Sequence, residues 1–122
     1  MAKSIMIVDD SASLRMVVGI ALKGAGYSVI EGRDGADALT KLTGQKVNLI
    51  ISDVNMPNMD GISFVKAVKQ LQAYRFTPII MLTTESEESK KREGQAAGAK
   101  AWVVKPFQPE HLLAAVQKLC LP

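Results

Sequence analysis

Cysteine, aromatic residues and long apolar runs are scarce in this chain, and each scarcity excludes a class of protein. Its one cysteine, Cys120, excludes a disulfide framework and a thiolate metal site, and favours a reducing compartment. Aromatic residues make up only 5%, too few for the base-stacking platforms of single-strand nucleic-acid binders. No apolar run approaches the ~18 residues of a membrane span, and the run after residues 1–4 is too short for a signal peptide. We therefore expect a cytoplasmic protein.

An excess of charge of one sign is also lacking. The formal net charge is +3 at pH 7, and charged residues make up 22% of the 122 residues. Such an excess attracts an acidic partner weakly, but it is not the clustered basic face of a nucleic-acid binder. A chain of this length buries roughly two-thirds of its unfolded surface as one core. With 48% apolar residues and no linker, residues 1–122 are expected to form a single domain.

Four short apolar runs each stop at a polar residue that phosphoryl chemistry could use. The residues that follow the runs are, in chain order, Asp9-Asp10, Asp53, Thr83 and Lys105. The runs alternate with segments of helical period, which is typical of a parallel sheet covered by helices on both faces. Ligands of such α/β sheets bind at the carboxyl edge of the strands. We therefore expect these polar groups to meet at one point.

Helical periodicity is clear in most of the intervening segments. The first helix carries an apolar stripe made of Leu14, Val17, Val18, Ala21, Leu22 and Ala25. A short helix is predicted over Gly35–Leu42, and a last helix begins at Pro109. The fourth helix, predicted over residues 86–97, has no large apolar side chain and contains Gly94. With few apolar contacts, that helix should lie at the low-stability end of the domain.

Three carboxylates at one sheet edge would repel one another. At 4 Å and an effective dielectric of 20, each pair costs roughly 4 kcal/mol, so the cluster needs a cation or raised pKa values. Oxygen ligands without histidine or cysteine favour a hard cation, Mg²⁺ or Mn²⁺, to which Asn55 could add its carbonyl. For Asp9 and Asp10 alone, an acidic pair at a helix N-terminus is an open alternative.

Asp53 is the candidate nucleophile, because a carboxylate can attack a phosphoryl group and form an acyl phosphate. A divalent cation would neutralise the charge that develops, which is most of what phosphoryl transfer requires of a protein. Thr83 could donate its hydroxyl to a phosphoryl oxygen, and Lys105 could pair with the carboxylates or the phosphate. The alternatives are that Asp53 caps a turn leading to Pro57 and that Lys105 extends along the surface into solvent.

Five motifs together carry a resemblance to a known family. They are, in chain order, Ile7-Val8-Asp9-Asp10-Ser11, Asp53-Val54-Asn55-Met56-Pro57, Asp60-Gly61, Leu82-Thr83 and Val104-Lys105-Pro106-Phe107. They resemble, over the whole chain, the receiver domain of two-component response regulators, of the stand-alone, CheY-like type. The resemblance implies a flavodoxin-like (βα)5 fold, an α/β doubly wound sheet of five parallel strands in the order 2-1-3-4-5.

The resemblance also implies how the acidic residues act. Asp53 would accept a phosphoryl group from a phosphohistidine on a sensor histidine kinase, of the CheA-like kind. Mg²⁺ would be bound by Asp53, by Asp10 directly and by Asp9 partly through water. The backbone carbonyl of Asn55 would complete the protein ligands. The implied function is a phosphoacceptor of two-component signalling, in a chemotaxis-type pathway.

The residues expected to respond to the phosphoryl group lie on the later strands. By the same resemblance, Lys105 and Thr83 bind phosphoryl oxygens, and Trp102 matches the aromatic position whose rotamer couples to Thr83. Most relatives have tyrosine or phenylalanine where this chain has Trp102.

Thr84 stands where a small residue is usual, so it is expected to narrow access to the phosphoryl site. By the same resemblance, Asn55 and Glu85 match positions that tune the rate of dephosphorylation. We therefore expect a short-lived phosphoprotein.

The expected output surface is the face made by the fourth helix, fifth strand and fifth helix, which would control a downstream protein. Lys91 and Arg92 lie where members that bind the flagellar motor have apolar contacts, so motor binding is less expected. We expect no enzymatic activity beyond the chain's own phosphorylation and dephosphorylation. A phosphatase would carry a second acid at the position of Asn55. A pseudo-receiver that only binds a partner and a fragment of a longer regulator stay open.

Overall fold

The computed structural model describes residues 3–83, 88–105 and 107–120, with the backbone alone for residues 88–91. Strands and helices alternate along the chain. The strands are β1 (Ser4–Val8), β2 (Ser28–Gly32), β3 (Leu49–Asp53), β4 (Ile79–Thr83) and β5 (Ala101–Val104). The helices are α1 (Ala12–Gly24), α2 (Gly35–Leu42), α3 (Gly61–Gln70), α4 (Glu88–Ala97) and α5 (Pro109–Leu119), with a short 3-10 turn over Gln72–Tyr74.

The five strands form one parallel sheet in the order β2-β1-β3-β4-β5, as the resemblance implied. The register aligns Val8 with Ser52, Asp53 with Leu82 and Thr83 with Val104. The strands therefore end nearly level at the carboxyl edge, and the residues that follow them emerge there together. The expected doubly wound fold is confirmed.

Helices cover both faces of this sheet, which explains why the strands are almost continuously apolar. On the face covered by α2, α3 and α4, the buried residues include Met6, Ile50, Phe64, Val68 and Met81. On the face covered by α1 and α5, they include Ile5, Ile7, Leu22, Ile51 and Val116. Successive strand residues alternate between these two layers. The central strands β1, β3 and β4 are held on both sides and place the site on a rigid support.

Side-chain caps fix where three helices begin. Ser11 accepts a hydrogen bond from the backbone N–H of Leu14, Asp34 from that of Asp37, and Asp60 from that of Ser63. Each cap satisfies an N–H that the helix leaves unpaired. Because the capping residues lie in the loops at the carboxyl edge, they also hold those loops close to the strand ends.

The apolar stripe predicted for α1 is wrong at two residues: Val17 is exposed, and Ala25 is exposed and follows the end of the helix. Val18 and Leu22 are buried, but Val17 is 54% exposed. Val17 and Val18 are adjacent, and the angle at which α1 packs on the sheet turns only the second of them inward. Met16 and Ile20 are also exposed, at 64% and 67%. The outer surface of α1 therefore presents apolar side chains to solvent. Among the helices of the described ranges, none has both the length and the apolar character needed to cross a bilayer.

Candidate functional site

Three carboxylates lie together at the carboxyl edge of the sheet. Asp9 follows β1, Asp10 comes next, and Asp53 is the last residue of β3; each offers an oxygen, and these oxygens lie within 4.8 Å of one another. Asp9 is 1% exposed and Asp53 is 7% exposed, whereas Asp10 is exposed. The structure thus brings together the three acidic residues that the sequence pattern placed at this edge. Two are nearly closed off by protein and the third faces solvent.

Lys105 is the cation that the protein itself supplies to this cluster. Its Nζ lies 3.2 Å from Asp9 Oδ2 and 3.3 Å from Asp53 Oδ1, and its side chain is only 17% exposed. The backbone N–H of Lys105 donates to the carbonyl of Thr83 at 2.6 Å, which continues the pairing of β5 with β4 past the strand end. This placement does not match the alternative of a lysine extended into solvent. The ammonium joins the first and third strands across the site.

Burial is the main reason that the pKa of Asp53 is raised above its ordinary value of 3.8. The charge of Asp9 raises this pKa further, while Lys105 and the N–H of Val54 lower it. That N–H donates to Asp53 Oδ1 at 2.8 Å and fixes the orientation of the carboxylate. Burial and the charge of Asp9 therefore disfavour the ionised form of Asp53 more than Lys105 and Val54 favour it. A further cation near Asp53 would favour its ionised form.

Asp9 is held by contacts on both sides of its side chain. Its Oδ1 accepts from the backbone N–H of Ser11 at 2.8 Å, while its Oδ2 faces Lys105. The guanidinium of Arg15 donates to the carbonyl of Asp9 and also pairs with Glu31 at 3.0 Å. These contacts stabilise a buried carboxylate that would otherwise be costly. Asp9 is therefore positioned by α1 and β2 as well as by its own strand.

The loop after Asp53 returns sharply to the strand end, and Gly61 makes that return possible. The N–H of Gly61 donates to the carbonyl of Val54 at 2.7 Å. A Cβ at Gly61 would overlap the carbonyl oxygen of Asp53 and lie 2.9 Å from the Cα of Val54. No residue other than glycine fits this approach without a shift of the backbone. Gly61 thus starts α3 directly beneath the acidic cluster.

Two residues that sequence reasoning missed tie the same loop to α2. Asn58 has a positive φ of 68°, and its side-chain amide donates to Asp34 Oδ2 at 2.8 Å. Asp34 is buried, and its pKa is lowered by the hydrogen bond from the backbone of Asp37 and then by that from Asn58. Asparagine is among the few residues that adopt a positive φ readily, so an asparagine in a turn was the available signal. The bond fixes the loop that carries Asn55.

The other predicted site residues lie around this cluster. Thr83 is 1% exposed at the end of β4, and Asn55 is exposed in the loop after β3. Trp102 pairs with Met81 in the register of β4 and β5, so its side chain is on the same face of the sheet as Thr83. Thr84, Glu85 and Pro106 lie outside the described residues, as does the side chain of Lys91. Arg92 is exposed on α4.

A hollow of about 560 Å³ opens beside Lys105, between α1 and the start of α5. Its lining residues include Leu14, Val17, Lys105, Phe107 and Pro109. Lys105 therefore borders both the acidic cluster and this largely apolar hollow. The exposed apolar surface of α1 continues from its rim. A second molecule that reached Asp53 from this side would meet apolar surface first and the charged cluster behind it.

The donor set fits a hard divalent cation. Three carboxylates converge within 4.8 Å of one another, and no histidine or cysteine belongs to the group. Mg²⁺ prefers carboxylate and carbonyl oxygens together with water, and exposed Asp10 leaves one side of the cluster open to solvent. Among the described residues, the single positive charge of Lys105 faces these three carboxyl groups, so the site can accept another cation. These residues can therefore hold such an ion.

A doubly wound sheet with an acidic cluster and a bridging lysine at its carboxyl edge defines the receiver class. The chain belongs to the response regulator receiver domain family, which it matches over residues 5–117. It is 39% identical to the chemotaxis protein CheY of Bacillus subtilis over 119 residues, which is 97% of this chain and 98% of that protein.

Solved structures give the same result. Chemotaxis protein CheY4 of Vibrio cholerae superposes with a TM-score of 0.94 at 50% identity, covering 98% of this chain and 99% of that one. A receiver domain of a Pseudomonas aeruginosa sensor histidine kinase, with a magnesium ion coordinated in its active-site cleft, superposes with a TM-score of 0.90 at 26% identity. Each covers 98% of the other. The chain is a two-component receiver, regulatory in its family, with relatives in chemotaxis.

Proposed function

We propose that this protein is a Mg²⁺-dependent phosphoacceptor in which Asp53 receives a phosphoryl group from a sensor histidine kinase. The observation that carries the proposal is the cluster of three carboxylates within 4.8 Å, two of them bridged by Lys105. A carboxyl group with a raised pKa, a half-buried ammonium and an open side form a site that can bind a cation and an anion together. We further propose that residues 1–122 form one receiver domain.

In the proposed reaction a carboxylate oxygen of Asp53 attacks the phosphorus of a phosphohistidine. The new P–O bond forms as the P–N bond breaks, and the imidazole leaves with the electron pair of that bond. Val54 and Lys105 hold Asp53 Oδ1, at 2.8 and 3.3 Å, which orients the attacking carboxylate. Lys105 is also placed to meet the charge on the transferred phosphoryl oxygens. Thr83, at the end of the adjacent strand, is proposed to donate to one of those oxygens.

Asp9, Asp10 and Asp53, with the carbonyl of Asn55, are the proposed ligands of Mg²⁺. When bound, the ion would offset the mutual repulsion of the carboxylates and the charge of the phosphoryl oxygens. Asp9 is already oriented by the N–H of Ser11 on Oδ1, so Oδ2, which pairs with Lys105, is directed toward the cluster. The loop that carries Asn55 is held by the bond between Asn58 and Asp34. These contacts prepare the ligands before the ion arrives.

The phosphohistidine-bearing domain of the kinase is the proposed occupant of the hollow beside Lys105. The hollow is continuous with the acidic cluster through Lys105 and is lined on its α1 side by Leu14 and the exposed Val17. An apolar contact outside the charged cluster would bring the phosphorylated histidine toward Asp53 and exclude water from the reaction. The kinase is proposed to be of the CheA-like, chemotaxis type.

The proposed output is a change in the face formed by α4, β5 and α5, through Thr83 and Trp102, that controls a partner protein in the cytoplasm. Thr83 and Trp102 share one face of the sheet, so a shift at the phosphoryl site can reach β5 along that face. The phosphoryl group is proposed to be short-lived, with Asn55, Thr84 and Glu85 as the modulating residues. No activity beyond the protein's own phosphorylation and dephosphorylation is proposed.

Acetyl phosphate with Mg²⁺, followed by intact mass measurement, tests the phosphoacceptor directly. Wild type should gain one phosphoryl group, and Asp53→Asn should gain none. The matched control is Asp60→Asn, because Asp60 is an acidic residue nearby whose role, capping α3, an asparagine side chain can keep. It should be phosphorylated like wild type. EDTA should abolish the gain. No gain in wild type with any donor, or an equal gain in Asp53→Asn, would refute the assignment.

A further inference from the structure

Gly94 stands in the interior of α4, where glycine is the least favourable residue apart from proline. Conformation does not explain it, because the positive-φ glycines of the described residues are Gly26, Gly44 and Gly98. Space does explain it. A Cβ at Gly94 would lie 2.7 Å from Cζ3 and 3.3 Å from Cε3 of Trp102. The indole occupies the volume that the side chain of any other residue would need.

Trp102 is held there by packing. Its ring packs against the buried cluster that α2, α3 and α4 cover, together with Ala97 of α4. Its Nε1 is buried without a hydrogen-bond partner among the described residues. An unsatisfied indole N–H disfavours this position, so the contacts of the ring must outweigh that cost. Since α4 contains no large apolar side chain, the ring of Trp102 supplies the large apolar surface between α4 and β5.

We propose that Gly94 is a positioning residue, which seats the indole of Trp102 against the backbone of α4. The proposal rests on the proposed function, because that function makes the α4, β5 and α5 face the output surface. Because the indole ring lies against the backbone of α4, the ring cannot move toward the helix, and the helix cannot move toward the ring, without a steric clash. A shift of Trp102 that follows phosphorylation must therefore displace α4 or release it. Gly94 thus couples the position of α4 to that of Trp102 through the helix backbone, with no side chain at position 94.

Replacement of Gly94 by alanine separates this contact from ordinary helix propensity. Gly19→Ala is the matched control, since Gly19 lies inside α1 and a Cβ there meets nothing within 4 Å. Helix propensity alone predicts that Gly19→Ala raises the folding equilibrium constant by about fivefold. Gly94→Ala should instead lower it, because the new methyl group collides with the ring. An increase for Gly94→Ala equal to that of Gly19→Ala would overturn the proposal.

Trp102 is the only tryptophan, so its emission reports the ring without ambiguity. Gly94→Ala should shift the emission maximum to longer wavelength and increase quenching by acrylamide, while Gly19→Ala changes neither. In a Trp102→Leu background, the effect of Gly94→Ala should reverse: the substitution should raise the folding constant, because the indole ring that blocks the methyl group is absent. The proposed contact between Gly94 and the indole would be contradicted by an unchanged emission spectrum. It would also be contradicted if Gly94→Ala still lowered the folding constant in the Trp102→Leu background. The reversal can be measured even if Gly94→Ala alone folds poorly.

A positioning role requires that the response to phosphorylation change as well. With Mg²⁺ and acetyl phosphate, the emission of wild type should change on phosphorylation, and that change should be lost or strongly reduced in Gly94→Ala. Intact mass should show that Gly94→Ala still gains its phosphoryl group on Asp53. A full fluorescence response in Gly94→Ala would refute the positioning role. If wild type gains no phosphoryl group, the proposed function fails. The folding constants measured with and without Trp102 still test the contact between Gly94 and the indole.

Discussion

Asp53→Asn should make the protein more stable in the absence of divalent cations. At neutral pH the wild-type cluster holds three carboxyl groups, with oxygens within 4.8 Å of one another, and, among the described residues, one ammonium, that of Lys105. The asparagine removes one negative charge and can still accept the hydrogen bond of the Val54 N–H through its Oδ1. Lys105 keeps its contact with Asp9. The substitution therefore changes the charge of the site with little change in its packing.

The charges of the site and the burial of Asp53 set the size of the effect. At 4.8 Å and an effective dielectric of 20, each carboxylate repels Asp53 by roughly 3.5 kcal/mol. Lys105 at 3.3 Å attracts it by roughly 5 kcal/mol on the same scale. Two full repulsions would exceed the attraction by about 2 kcal/mol, but solvent screens exposed Asp10, so the charges nearly balance and burial of Asp53 supplies most of the effect. Relief of this desolvation cost is the larger part of the gain, so we expect the variant to be more stable by about 1–3 kcal/mol.

The pH dependence has a definite sign. The pKa of Asp53 is raised above 3.8 in the folded protein, so the folded state holds that proton more tightly than the unfolded chain does. Wild type therefore loses stability as pH rises from 3.8 through the folded pKa. The advantage of Asp53→Asn should be absent near pH 3, should grow across that interval and should then level off.

Urea unfolding in EDTA buffer at several pH values, repeated with Mg²⁺, measures the effect. Bound Mg²⁺ should stabilise wild type, by roughly 2.7 kcal/mol at a hundredfold excess over its Kd, and should stabilise Asp53→Asn much less. Asp10→Asn is the control, because Asp10 is exposed and its removal should raise stability less. If Asp53→Asn were less stable than wild type at pH 7 in EDTA, the electrostatic reasoning would be wrong. An advantage of equal size at pH 3 would also refute it.

Three further predictions concern the support of the site. Phe64→Ala should cost about 3–5 kcal/mol of unfolding free energy, because Phe64 is fully buried, whereas Phe76→Ala, at an 89% exposed position, should stay within about 0.5 kcal/mol; similar urea midpoints would contradict this. Tyr74→Phe should cost about 1–2 kcal/mol, because the hydroxyl hydrogen is shared between the backbone carbonyls of Leu42, the last residue of α2, and Gln45; an unchanged midpoint would exclude that role. Asn58→Gly keeps the positive φ but removes the bond to Asp34, so it should be destabilised at pH 7. Because the pKa of Asp34 is lowered from 3.8 in the folded protein, that deficit should shrink as pH falls below 3.8, and a constant deficit would refute the link.

Local signals were sufficient to predict most of the fold. The predicted bounds of the short helix over Gly35–Leu42 agree with the structure, because an aspartate caps its start and Gly44 follows its end. The polar residues after the four apolar runs could be placed at one edge from the topology alone. Only the strand order required the resemblance to a family, because periodicity carries no information on which strands are neighbours.

Contacts between distant elements were beyond the reach of periodicity. Val17 was assigned to the core because it shares the helical period of its neighbours, but the docking angle of α1 decides which of two adjacent valines is buried. The unusual glycine of α4 was visible in the sequence, yet its partner Trp102 lies on another element. The bond of Asn58 to Asp34 likewise spans two loops that only the folded sheet brings together. Each of these depends on packing rather than on local pattern.

The tight return at Gly61 has a consequence for large mutational surveys. Any side chain there collides with the carbonyl group of the very residue proposed to carry the phosphoryl group. In a survey scored by signalling output alone, Gly61 should therefore rank with Asp53 as intolerant of every substitution, although it contacts no reactant. A parallel survey scored by cellular abundance would separate the two. Substitutions of Asp53 should leave abundance intact, whereas those of Gly61 should deplete it.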